Sequence, residues 1–183
     1  AVRCVYMTNG ASLIGFTLTN GATRNDGDLE YEQYGGGVWC VSVDAVISYC
    51  VIAGSLAYDA GGAWRGTLYN CALTGNENHG AMKSALYNCI LDGNMGYYGG
   101  GAVESTLYNC LLTRNSASDT GGGASGCVLF NCTVVGNSAG TYGGGTRSCT
   151  LYNSIVYYNT AMSYENYEGG SLSYSCSTPL PGG

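Results

Sequence analysis

Charge is scarce in this sequence: only 10% of its 183 residues are Asp, Glu, Lys or Arg. The balance is −6 and no basic run occurs, so nucleic acid is not an expected partner. No apolar stretch approaches the roughly 18 to 20 residues that a spanning helix needs, so membrane insertion is not expected either. Proline occurs twice and histidine once. A disordered chain would carry more charge and less than the 45% hydrophobic content found here. Glycine is abundant but clusters instead of recurring every third residue, which excludes a collagen helix. The cysteines lack CxxC spacings, so a zinc framework is not expected. The first residue is Ala1 and no leader segment precedes the repeats, which implies a processed chain or an excised piece.

What the chain does contain is repetition. The stretch YGGGAVESTLYNCLLTRN, residues 98–115, recurs in kind on both sides. Alignment on Phe16, Cys50, Cys71, Cys89, Cys110, Cys132, Ser154 and Cys176 gives an interval of 34 and then steps of 21, 18, 21, 22, 22 and 22. The long first interval contains a polar insertion at about residues 21–34. Units this short, rich in Gly and Asn, suit one coil of a parallel β-helix; the LxxLxL core of a leucine-rich repeat is missing. The fold expected is all-β: one domain over residues 1–183, a right-handed parallel β-helix of about eight coils.

Alternation assigns the faces. Leu68, Leu86, Leu107, Leu129 and Leu151 point inward, with the small residues Gly66, Ser84, Ser105, Cys127 and Cys149 sharing the interior. An outward aromatic row follows: Tyr49, Tyr69, Tyr87, Tyr108, Phe130, Tyr152 and Tyr174. Asn70, Asn88, Asn109, Asn131 and Asn153 fall at a turn, where Asn tolerates a left-handed backbone and stacked amides bond from coil to coil. Past the turn Cys50, Cys71, Cys89, Cys110, Cys132 and Cys176 form an inward row of small, reduced thiols. A second asparagine row, Asn76, Asn94, Asn115, Asn137 and Asn159, closes the next strand. Cys4 in VRC aligns with Cys40 in VWC, and Cys127 with Cys149. Stacked coils bring Cα atoms to a spacing that a disulfide accepts, so these two pairs are the expected bridges.

The motifs SLIGFTLTNG, GGGVW, NCTVVGNSAGTYGGG and SYSCSTPLPGG, with a GGA or GGG cluster before each apolar strand, resemble bacterial surface proteins with right-handed β-helix repeats. They are similar to the polymorphic outer-membrane repeats of autotransporter passengers. The resemblance implies an exported bacterial protein, extracellular or on the cell surface, with a role in adhesion or surface structure.

Parallel β-helices also host polysaccharide lyases and hydrolases, which need acids clustered on neighbouring coils. Here one position runs Arg65, Lys83, Glu104, Gly126, Ser148, so Lys83 and Glu104 read as an exposed ion pair. His79, beside Glu77 in GNENHG, reads as a solvated loop residue. Asp26, Asp28, Glu30 and Glu32 are the only grouping with calcium-like carboxylates, but DGDLEYE lacks the rest of an EF-hand loop and reads as a solvated segment. No catalytic residue, cofactor or metal is therefore assigned. Across the Asn turn, Val51, Ile90, Leu111 and Ile155 point outward beside the aromatic row. Together the two stripes are either an interaction face or plain self-stabilising stacking.

The function expected is a non-enzymatic structural or adhesive element that self-associates head to tail into filaments. Neither VRCVYM at the start nor STPLPGG at the end supplies a cap for the terminal strands. A carbohydrate-binding module, with glycans stacked on the tyrosine row, is the alternative; a lyase or hydrolase ranks third.

Overall fold

Every strand pairing in the computed structural model, which describes residues 2–178, is parallel, and each coil lies in register on the next. Three long stacks of short strands result, with a smaller three-stranded sheet of Met95–Tyr98, Ser116–Thr120 and Ser138–Ala139 on the loop side. One contains Val5–Met7, Val38–Cys40, Ala63–Trp64, Ala81–Met82, Ala102–Val103 and Ala124–Ser125. The second contains Ser12–Ile14, Val46–Ser48, Thr67–Tyr69, Ala85–Tyr87, Thr106–Tyr108 and Val128–Phe130. The longer strands Thr146–Tyr152 and Tyr167–Ser173 fuse these two stacks into one sheet. The third runs from Thr17–Thr19 to Cys176–Ser177 in eight rungs, about seven complete turns. The chain is thus an all-β parallel solenoid, and the single helix among the described residues spans Leu29–Gln33.

Three corners turn the chain, and all use one device. A residue with positive φ reverses direction, and the next residue carries a small polar side chain that bonds the neighbouring coil. At the first corner Asn70, Asn88, Asn109, Asn131 and Asn153 have φ of 50–55°. At the second corner Gly75, Gly93, Arg114 and Gly136 precede Asn76, Asn94, Asn115 and Asn137. At the third, Arg65, Lys83, Glu104, Gly126 and Ser148 take this conformation, so the charged row belongs to a corner rather than a strand. Such a backbone costs an ordinary L-residue about 1–2 kcal/mol, so the bonds made by the following side chain have to offset it.

The second corner does this most fully. Asn94 Oδ1 accepts from the backbone N–H and the Nδ2 of Asn76, while its own Nδ2 donates to Leu73 O and Asn115 Oδ1, all at 2.9–3.0 Å. Asn115 repeats the pattern with Asn137. These amides are completely buried, and each uses its whole hydrogen-bonding capacity. The first-corner amides also form a ladder, Asn109 to Asn88, Asn131 to Asn109 and Asn153 to Asn131, but at the surface.

Inside, Ile47, Leu68, Leu86, Leu107, Leu129 and Leu151 stack fully buried, facing Ile52, Leu73, Leu91, Leu112, Val134 and Val156. The glycine clusters let the irregular third side come close: a Cβ on Gly100 would stand 2.2 Å from Ser116 O. The polar insertion leaves residues 24–29 exposed, as expected of a solvated segment, but it is locally folded. Asp28 caps its helix by accepting from Tyr31 N, and Glu32 Oε2 accepts from Asp28 N. The helix then lies over the outer face of the first stack, where Trp39 Nε1 donates to Glu30 O at 2.7 Å and Glu30 pairs with Arg65 at 2.9 Å.

The register corrects several expectations. Val5–Met7 pairs with Val38–Cys40, so Met7 rather than Cys4 lies beside Cys40 and that disulfide has no geometric basis. Ser48, not Tyr49, lies beside Tyr69, and Ser173, not Tyr174, lies beside Tyr152. Tyr49 and Tyr174 instead occupy the first corner, each with φ 52°. Cys176 pairs with Ile155 and faces outward, because the last coil is one residue shorter than the cysteine alignment assumed; Ser175 takes the inward place. Pro179 to Gly183, most of STPLPGG, lies outside the described residues.

Candidate functional site

Tyr69, Tyr87, Tyr108, Phe130 and Tyr152 form one continuous stack, with ring centroids 4.8, 4.8, 4.8 and 5.0 Å apart and planes within 16° of parallel. The spacing is that of the strands beneath, because each ring stands on a strand paired in register with the next. Each inner ring has both faces covered by its neighbours, so solvent meets ring edges and hydroxyls only. A sugar ring needs an open aromatic face, and the inner rings offer none; only Tyr69 and Tyr152 at the two ends have a serine, Ser48 and Ser173, in place of a ring on one side. Beside it Val51, Ile90 and Ile155 are exposed and Leu111 half-buried, as the alternation implied.

All ten cysteines are free thiols. The expected Cys127–Cys149 bridge is not formed, although the two residues stack in register: Cys149 Sγ accepts the Cys127 N–H at 3.4 Å. The same contact joins Cys89 to Cys110 and Cys110 to Cys132, while Cys132 N donates to Ser154 Oγ and Ser154 N to Ser175 Oγ. Each thiol also lies within bonding distance of the carbonyl two residues earlier, as Cys110 does with Tyr108 O at 3.3 Å. The corner requires a small side chain that both donates and accepts, which explains why Cys and Ser alternate there. Burial pushes the Cys40 thiol up to about 12. The hydrogen bond with Cys110, more than burial, takes Cys89 to about 12, and Cys132 does the same for Cys110. These groups stay protonated and unreactive at neutral pH. Cys4 and Cys176 are exposed.

Lys83 and Glu104 form the expected surface ion pair, 3.8 Å apart, and Lys83 Nζ also lies 5.0 Å from the Trp64 ring centroid. Trp39, Trp64, Met82 and Val103 form a second buried cluster on the outside of the first stack, which alternation alone did not reveal.

His79 departs most from expectation. It is 3% exposed, with Nε2 3.0 Å from Asp59 Oδ1 on the preceding coil and Nδ1 3.2 Å from Gly99 O on the following one. Its ring lies against Tyr98. Burial, and then the nearby Asp59, raises the Tyr98 phenol above its ordinary range. A Cβ on Gly96 would come within 2.5 Å of His79 Nδ1, so glycine at 96 is what lets the imidazole fit. Among the described residues no three His, Cys, Asp or Glu side chains gather as a metal would require. Neither the protein-family models nor the curated proteins compared with the chain give a match.

Proposed function

We propose that the chain is a non-enzymatic structural or adhesive β-helix of the bacterial exterior that extends by joining end to end. One observation carries this reading: among the described residues, no segment covers the interior at either terminal coil. Val5, Ala11, Leu13 and Leu18 at one end and Leu172 at the other pack on the core yet are only partly buried. Among the described residues, the strands at these ends hydrogen-bond to one neighbour only. An open edge of this kind templates another strand, and head-to-tail contacts propagate without closing. The resemblance to bacterial surface repeats supports the location. The aromatic row strengthens the wall of such a rod; with the faces of its inner rings closed it does not support stacking of a glycan along its length.

The next coil comes either from a second copy or from a further part of a longer chain, and sedimentation velocity with electron microscopy separates the two. The expected result is rods that lengthen with concentration for the 183-residue chain. The double variant Leu13→Lys, Leu18→Lys, whose new ammonium groups reach solvent at the open end, is expected to remain monomeric with an unchanged far-ultraviolet spectrum. A monomer at every concentration for the unmodified chain would overturn end-to-end joining of copies.

A further inference from the structure

The step of 18 residues between Cys71 and Cys89 is the shortest in the repeat, and the residues it lacks are those of the loop side. Between Asn76 and Gly80 this coil has only Glu77, Asn78 and His79, whereas the neighbouring coils carry longer segments that bear Tyr58 on one side and Tyr97 and Tyr98 on the other. A short coil between two longer ones leaves a depression. Its centre, about 170 Å³, is lined by Tyr58, Asp59, Asn78, His79, Tyr97 and Tyr98. Two flanking hollows of about 420 and 310 Å³ share lining residues with it, Tyr58 and Asn78 in one and Asn78 and Tyr97 in the other.

The lining is fixed and chemically mixed. Asn78 and His79 are consecutive non-glycine residues with φ of 55° and 78°, a strained pairing of the kind that persists where surroundings over-determine it. Asn78 Nδ2 donates to Ala57 O at 2.7 Å, which sets the amide and leaves Oδ1 without a partner among the described residues. Asp59 Oδ1 lies by His79 and accepts from Ala60 N, which leaves Oδ2 likewise. Tyr58 and Tyr97 are 64% and 62% exposed. They do not belong to the closed stack: Tyr97 meets Tyr98 edge-on, and Tyr58 has Tyr34 on one side at 6.4 Å. Open aromatic faces therefore stand beside rigid acceptors.

We propose that this depression is a saccharide-binding site, with a neutral sugar ring against Tyr58 and Tyr97 and its hydroxyls donating to Asp59 Oδ2 and Asn78 Oδ1. A sugar combines an apolar C–H face with several O–H donors, which answers both halves of the lining. A purely apolar ligand would leave the two acceptors desolvated and unpaired. An anionic ligand would meet Asp59 and Glu77 in a chain of net charge −6. A run of sugars extends naturally into the flanking hollows. The site does not depend on end-to-end assembly.

Calorimetric titration of the intact chain with cellohexaose, xylohexaose, maltohexaose, chitohexaose and laminarihexaose, and separately with choline, tests the proposal. At least one hexasaccharide is expected to bind with a Kd of about 1 mM or tighter. Tyr58→Ala and Tyr97→Ala are each expected to weaken it about fivefold or more. Tyr142→Ala, an exposed loop tyrosine outside the depression, should leave it within about twofold. Absence of binding by all five hexasaccharides at about 10 mM overturns the proposal. So does binding that neither tyrosine variant weakens, or binding of choline alone, which would mark an aromatic cation site instead.

Discussion

Leu107, Tyr108, Asn109 and Cys110 each lie between residues of matching character, Leu86 and Leu129, Tyr87 and Phe130, Asn88 and Asn131, Cys89 and Cys132. Glu77, Asn78 and His79 have no such neighbours: Glu77 bridges to Leu56 and Met95, and His79 reaches Asp59 and Gly99. On the ladder walls, stability is shared by many equivalent rungs and no position is chemically singular. On the loop side the lengths vary: Met95–Tyr98, Ser116–Thr120 and Ser138–Ala139 still pair in register, but the short coil at Glu77, Asn78 and His79 falls outside that sheet and a depression forms over it. Repetition suits assembly; recognition of a ligand needs the exception.

The largest expected effect on this contrast comes from the buried amides. Asn115→Ala leaves Asn94 N, Asn94 Nδ2 and Leu91 O without that partner inside the core and reduces Asn137 Oδ1 to the single bond from Asn115 N–H. A loss of about 3–5 kcal/mol is expected in chemical denaturation. Asn109→Ala, at the exposed ladder, should cost about 1 kcal/mol. Tyr97→Ala, on the loop side, should cost less than about 0.5 kcal/mol. Equal losses at the three positions would erase the distinction between wall and loop.

Alkaline pH probes the wall next. Cys40, Cys89 and Cys110 rise from an ordinary value of 9.0 to about 12 in the folded chain. Below about pH 9 both states hold the proton and these thiols leave stability unchanged; between about 9 and 12 only the unfolded state releases it, so stability falls through that window. Denaturation midpoints measured from pH 7 to 11 should be flat and then decline. At neutral pH, iodoacetamide should modify the exposed Cys4 and Cys176 first and the row Cys71, Cys89, Cys110, Cys132 only on unfolding.

A smaller effect follows from the rings. Tyr108→Ser removes two stacked contacts of about 0.5–1.5 kcal/mol each but opens no core cavity, so the β-helix should persist with a loss of about 1–3 kcal/mol in thermal or chemical unfolding. Smallest among the wall positions is Cys110→Ser, because Ser154 and Ser175 already fill equivalent places. It should change stability by less than about 1 kcal/mol, whereas Cys110→Val, which cannot accept from Cys89 N, should be clearly worse.

The walls were legible from the sequence because their periodicity survives any local ambiguity: Leu, Tyr, Asn and Cys recur at fixed order, and a parallel solenoid turns order directly into stacking. The errors came where one residue type fits two places. Tyr49 and Tyr174 look like members of the tyrosine row, yet a Tyr side chain is tolerated at a positive-φ corner when the rest of the coil imposes it. VRC and VWC match as motifs, but the strand register is set by Val5 against Val38. The burial of His79 was hidden for a different reason. Its partners Asp59 and Gly99 lie on two other coils, and loop-side contacts follow loop length rather than period. The signal was nonetheless present as the single step of 18 among steps of 21 and 22.

That step provides the most direct measurement. Insertion of Gly-Ser-Gly after Asn78 lengthens the short coil to the common 21 residues and fills the depression, while Leu13→Lys with Leu18→Lys closes the open end. Each variant is carried through both sedimentation and titration with whichever hexasaccharide binds the unmodified chain. The account predicts that the lengthened loop abolishes saccharide binding and leaves rod growth intact, and that the end variant does the reverse. Loss of both properties in either variant, or persistence of saccharide binding with the loop lengthened, would contradict it.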